Sequence, residues 1–208
     1  MQTVAVIDFE TTGISPEAGA RATEIAAVLL RDGRVVGRYQ SLMNAGARIP
    51  PFIEQLTGIS NAMVRAAPPA RAVMREVAEF VGAHPLVAHN AAFDRRFWDA
   101  ELGRIGRTRV QEFACTMLLA RRIYPEAPNH KLGTLVEFAG LPVAGRHHRA
   151  LADAEMAASL LAKLERELER RYGLAPVTHE MLREIQVSPR SGSGGFALPD
   201  RARARTRR

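Results

Sequence analysis

The chain has 208 residues, 47% of them hydrophobic, enough for one well-buried α/β domain and an appendage. A single cysteine, Cys115, excludes an internal disulfide framework and a cysteine-built zinc site, and no apolar run approaches the roughly 18–20 residues of a transmembrane helix. Of the net charge of +7, residues 190–208 carry +5, from six arginines and Asp200, so basicity does not mark the rest of the chain as a nucleic-acid binder.

Residues 3–9 predict a strand entered at once, with no basic leader or apolar signal segment before it; a cytoplasmic protein without membrane association is expected. ATEIAAVLLRDGRVVGRYQSLMN holds two β-rich runs around Asp32-Gly33, a hairpin signal, so the first three strands form an antiparallel meander. PPFIEQLTGIS predicts a short helix stopped near Gly58, and PPARAVMREVAEFVG a helix with Val73, Val77 and Phe80 at helical spacing. PLVAHN reads as a short buried strand, and NAAFDRRFWDAEL as a helix N-capped by Asn90. FACTMLLARRIYP predicts a strand running into a helix, and HKLGTLVEFAGLP another helix. A long helix follows over 150–172, with Leu160, Leu161, Leu164 and Leu168 along one stripe. After Pro176, THEMLREIQ is a weak helix, and the Gly/Ser-rich and Arg-rich segment from about 188 is expected to be disordered. The expected organisation is a domain over 1–175 and an extension over 176–208. The fold class is α/β, a mixed sheet whose first three strands are antiparallel and later ones parallel, flanked by helices.

Strand periodicity sends Asp8 and Glu10 to the face that also carries Val4 and Val6. Carboxylates are costly to bury unpaired. Two of them at a strand's end, beside the Thr11-Thr12-Gly13 turn, suit a hard divalent cation such as Mg²⁺ or Mn²⁺. Asp94 shares a helix face with Phe97 and Trp98, although the helix dipole alone would favour an acid there. Asp153 lies on the stripe of Ala157, Leu160 and Leu164, and His148 precedes it by five residues. Four carboxylates could hold two metal ions roughly 3.5–4 Å apart, clamping the attacking and leaving oxygens of a phosphodiester. His148, with a reference pKa of about 6.5, suits proton uptake from an attacking water.

DFETTG, AHNAAFD and HRALADA resemble, in order, the three motifs of the DEDDh 3′–5′ exonucleases, which have a ribonuclease H-like fold. LTGIS and CTMLLARRIYP…HKLGTLVEFAGLP are also similar to that family, particularly its proofreading epsilon-type members in bacterial DNA polymerase III and their stand-alone relatives. The resemblance covers about residues 2–170 and implies release of nucleoside 5′-monophosphates from single-stranded or frayed 3′ ends of DNA or RNA. It implies that Asp8, Glu10 and Asp153 hold the nucleophile-side ion, and that Asp8 bridges to a second ion with Asp94 acting directly or through water. His148 is the general base in that scheme, leaving the adjacent His147 without a role. The 3′-terminal nucleotide would lie against Thr11, Thr12 and Gly13, Leu56, Asn90 and Phe93.

Two rivals compete. A haloacid-dehalogenase-like phosphatase would use Asp8 as a covalent nucleophile, but it needs Asp where Glu10 stands and paired acids after Lys131. A non-catalytic module binding nucleic acid or a polymerase would be expected to have lost part of the five-residue set. Within the exonuclease reading a DNA polymerase is the implied protein partner, with roles in replication or repair; EIQVSPR has the Gln but not the hydrophobic residues of a clamp-binding peptide. DNA against RNA preference and oligomeric state stay open at this level.

Overall fold

β1 (Val4–Thr11) is buried along its length except at Asp8 and Glu10, which are only partly covered, and so takes the centre of the sheet. The computed structural model describes residues 2–142, 148–189 and 196. β2 (Ala22–Arg31) pairs antiparallel with β1, and β3 (Arg34–Leu42) antiparallel with β2. Between β2 and β3, Asp32 and Gly33 both take positive φ, 53° and 71°, as a two-residue type I′ turn requires. β4 (Leu86–Ala88) and β5 (Phe113–Cys115) add in parallel on the other side of β1, giving the order β3-β2-β1-β4-β5. The mixed sheet expected from the sequence is the one observed.

Among the described residues, eight α-helices surround it: α1 (Pro51–Thr57), α2 (Asn61–Ala66), α3 (Ala70–Val81), α4 (Ala91–Gly103), α5 (Thr116–Ile123), α6 (Leu132–Phe138), α7 (Ala150–Tyr172) and α8 (His179–Val187). The reading from sequence omits α2, although its start carries a cap: the Ser60 hydroxyl accepts from the Met63 N–H at 3.1 Å. Asn90 corrects a second expectation. It stands at the N-cap position of α4 in left-handed backbone (φ 64°), and its side chain makes no capping hydrogen bond.

The period of two divides β1 between two cores. Val4 and Val6 pack with Ala157, Leu160 and Leu164 of α7 on one face. Ala5, Ile7 and Phe9 pack with Val73 and Val77 of α3 and Phe97 and Trp98 of α4 on the other. Asp8 and Glu10 follow Val4 and Val6 in phase, so they point toward the α7 side.

The stretch from 176 is in part packed onto the domain. Met181, Leu182 and Ile185 of α8 join the core that α7 and α5 build, and the Gln186 side chain accepts from the Cys115 N–H at 2.7 Å, covering the β5 edge. Phe196, inside the segment expected to be disordered, is buried with its ring 4.9 Å from that of Tyr172. The rest of that segment, 190–195 and 197–208, lies outside the described residues, as does His147. Among the described residues no helix is long and apolar enough to cross a membrane.

Candidate active site

The site forms where β1 outruns its parallel neighbour. β4 ends at Ala88, having paired Val6 with Val87, so the N–H of Phe9 has no strand to meet. Asp94, in the first turn of α4, fills that place: its Oδ1 accepts from the Phe9 N–H at 3.2 Å. A buried acid, only 2% exposed, is thereby fixed to the residue that separates the two β1 carboxylates. On the antiparallel side, Glu10 lies opposite Glu24, and the register slips by one residue between Glu10 and Thr11, a bulge that bends the strand at the site.

The N-terminus of α7 brings the remaining groups. Asp153 Oδ2 accepts from the backbone N–H of His148 at 3.0 Å, and His148 sits in left-handed backbone (φ 61°), a costly conformation tolerated where the surroundings determine it. One ligand atom from each of Glu10, His148 and Asp153 falls within 4.8 Å of the others. Asp8, His148 and Asp153 also line one cavity of about 890 Å³.

Charge in this cluster is strongly disfavoured without a counter-ion. Burial pushes Asp8 well above the usual carboxylate range, with Asp94, Glu10, Asp153 and Glu24 adding in that order. Glu10 is raised to about 8 by burial first, then by Asp153, Glu24 and Asp94, with Arg149 opposing. Asp94 is raised to about 8 by burial, against the stabilising hydrogen bond from Phe9. Hard oxygen donors held close, and reluctant to ionise together, are the donor set that suits a divalent cation.

The predicted substrate residues are placed less uniformly. Asn90 lines the cavity; Thr11, Thr12, Gly13, Leu56 and Phe93 do not. The Thr11 hydroxyl donates to the Gly13 carbonyl at 2.6 Å, and the Thr12 hydroxyl accepts from the Arg21 N–H at 3.0 Å, so both shape the turn itself. Leu56 is exposed at 48%. Phe93 is half-buried and packs on Phe97, ring centroids 4.9 Å apart.

Two residues that the reading from sequence passed over organise the site. Glu24, 1% exposed, ties β2 to the start of α7 through Arg149 and the Ala150 N–H. Its signal was a lone acid inside the apolar run TEIAAV. His89, in AHN, contacts the Thr116 hydroxyl through Nδ1 at 2.9 Å and the His130 carbonyl through Nε2 at 3.0 Å. A carbonyl only accepts, so Nε2 carries the proton and Nδ1 accepts. Burial lowers His89 to about 4, keeping the ring neutral.

A family model for exonucleases matches residues 5–161. The chain belongs to that exonuclease family. The 3′-5′ exonuclease DinG of Bacillus subtilis (strain 168) is 38% identical over 188 residues, which are 88% of this chain and 19% of that protein. A DNA polymerase III PolC-type of Caldanaerobacter subterraneus subsp. tengcongensis is 35% identical over 164 residues, 79% of this chain and 12% of that protein. The chain thus spans a fifth or less of these two relatives. The solved structure of Exonuclease X in complex with 5′ overhanging duplex DNA is 30% identical, with a TM-score of 0.70, covering 88% of this chain and 99% of that one. Family membership removes the phosphatase alternative, and the ribonuclease H-like fold stands.

Proposed function

We propose that this exonuclease removes nucleotides from single-stranded or frayed 3′ ends by phosphodiester hydrolysis, releasing nucleoside 5′-monophosphates. The observation that carries the reading is the convergence of Glu10, His148 and Asp153 within 4.8 Å, the latter two lining one cavity with Asp8. The name of DinG supports the 3′-to-5′ polarity, and the DNA-bound Exonuclease X supports a nucleic-acid end as substrate.

Asp8, Glu10 and Asp153 would hold one Mg²⁺ or Mn²⁺, and Asp8 with Asp94 a second. Two such ions supply Lewis-acid stabilisation for charge developing on the attacking and leaving oxygens. The chain's own part is positioning and proton transfer. Asp94 is buried and anchored on the Phe9 N–H. His148 is exposed, so its ring can reach a solvent water and return the proton to bulk. The alternation of β1 keeps Asp8 and Glu10 on one side of the reacting phosphate while Asn90 stands at the cavity's rim, exposed and in strained backbone.

Similar segments inside PolC-type polymerases support a DNA polymerase as the partner and a proofreading or repair role. The test uses 3′-labelled DNA and RNA oligonucleotides of one sequence, with and without a terminal mismatch. Mononucleotide release from the 3′ end, faster at the mismatch because the base must leave its pair first, is the expected result. Internal fragments from circular single-stranded DNA would refute it.

A further inference from the structure

The cavity that holds Asp8, His148 and Asp153 has a second chemical character. Its lining also includes Arg121 from α5, and His130 and Lys131 from the loop that leads into α6. Neither Arg121 nor Lys131 forms an ion pair with a carboxylate among the described residues, whereas Lys163, the other lysine of the chain, pairs with Glu167 at 3.4 Å.

This cationic side is built to stay in place. The neutral, partly buried His89 donates to the His130 carbonyl and accepts from Thr116, which begins α5. One ring therefore fixes both cation-bearing segments to the end of β4. The adjacent Lys131 N–H is held at 3.0 Å by the Asn129 side chain. The positive side is set by the same strand end that sets Asn90, and a cavity of about 890 Å³ leaves room for more than one nucleotide unit.

We infer that the Arg121–Lys131 side of this cavity binds backbone phosphates of the strand, those 5′ to the bond being cut. The inference rests on the exonuclease reading and deepens it. The terminal phosphodiester would sit at the carboxylates, which repel every phosphate not neutralised by metal. The upstream strand must leave across the cavity, and among the described residues of its lining only the α5–α6 side offers fixed positive charge. Phosphate contacts of this kind position the strand without reading its sequence.

Steady-state kinetics of the full chain on oligothymidylates of two to eight nucleotides, and on the nitrophenyl ester of thymidine 5′-monophosphate, test this. Arg121→Gln and Lys131→Gln should each raise KM for the eight-mer roughly three- to ten-fold while kcat moves little. The deficit should grow with strand length and be smallest on the ester, which has no upstream phosphate. Anisotropy of a phosphorothioate eight-mer should show the salt slope of binding falling by about 0.7 for each phosphate that is no longer neutralised. Lys163→Gln, on another face, should behave as the parent. An equal deficit on ester and eight-mer, or none on the eight-mer, would overturn the inference. A parent protein that cleaves neither substrate would instead overturn the nuclease reading beneath it.

Discussion

Glu24 of β2 grips Arg149 with both carboxylate oxygens, Oε1 to Nη2 at 2.8 Å and Oε2 to Nε at 3.1 Å, and Oε2 also accepts from the first helical N–H of α7 at Ala150, 3.1 Å away. With Gln40 donating at 2.8 Å, every strong acceptor direction of this carboxylate is used. Glu24 stands opposite Glu10 and yet is spoken for. It fixes where α7 begins, and hence where His148 and Asp153 stand. Glu101 ties the far end of α4 to the start of β2, accepting from Arg21 at 2.8 Å.

Arg149→Met should therefore cost both stability and rate. Removing one partner of a buried ion pair costs about 3–5 kcal/mol; the Arg149 side chain is 34% exposed, so a loss of about 2 kcal/mol is expected. The turnover should fall at least about ten-fold with KM nearly constant, since misplacing the α7 start disturbs the reacting groups. Denaturant titration and steady-state kinetics check this; a stability loss with unchanged kcat would confine the clamp to folding.

Stability in chelator should fall as pH rises from about 6.5 to 8. Asp8, Glu10 and Asp94 have folded pKa values raised above their unfolded ones, the latter two to about 8, so the folded protein holds protons the unfolded chain has released. Stability then decreases with pH by about 1.4 kcal/mol per unit for each proton so retained. Below about 6.5 the lowered pKa values of His89 and His179 oppose this trend, because the unfolded chain then binds those protons more readily. Melting temperatures in EDTA across this range, repeated with Mn²⁺, measure the slope. Mn²⁺ should flatten it, and a flat profile in EDTA would contradict the buried-acid picture.

Asp8→Asn should separate chemistry from folding. Cleavage should drop by at least about a thousand-fold, because in the proposed scheme the ligand common to both ions is lost. The metal-free variant should melt higher than the parent at pH 7.5, since it removes one member of a mutually repelling cluster. A variant that melts lower in EDTA would show that Asp8 stabilises the fold without metal.

His148 can be a base or a ligand, since its ring lies within reach of Glu10 and Asp153. As the base, His148→Ala should lose roughly 10²–10⁴-fold in kcat while Mn²⁺ affinity by calorimetry changes little. His147→Ala should remain within a few-fold of the parent. A large drop in Mn²⁺ affinity for His148→Ala would make it a ligand instead.

Phe196 makes the end of the chain testable. Its ring is 6% exposed against Tyr172, so Phe196→Ala should lower stability by about 3–5 kcal/mol. Removing residues 190–208 should cost the same and also weaken nucleic-acid association at low salt, because that segment carries +5. Urea titrations of both variants against the parent decide it.

The sequence by itself determined the strand order, every helix but α2, the hairpin at Asp32-Gly33, and the faces that Asp8, Glu10 and Asp94 take. Those are local matters: a period of two puts Asp8 and Glu10 in phase with Val4 and Val6, and a period of 3.6 puts Asp94 beside Phe97 and Trp98. It could not foretell that Asn90 would cap nothing, that Thr11 and Thr12 would spend their hydroxyls on their own turn, or that Phe196 would return to Tyr172. Asn90 is decided by a backbone angle and Phe196 by a partner distant in the chain, while the two threonines are claimed by the closing of the turn between β1 and β2. Tertiary structure alone decided that Asp94 completes the hydrogen bonding of β1, 85 residues away, where β4 stops short. It alone decided that Glu24, one acid among apolar neighbours, is fully engaged by Arg149, Ala150 and Gln40. Hydrophobic periodicity reports which face a residue takes; only packing reports which partner waits there.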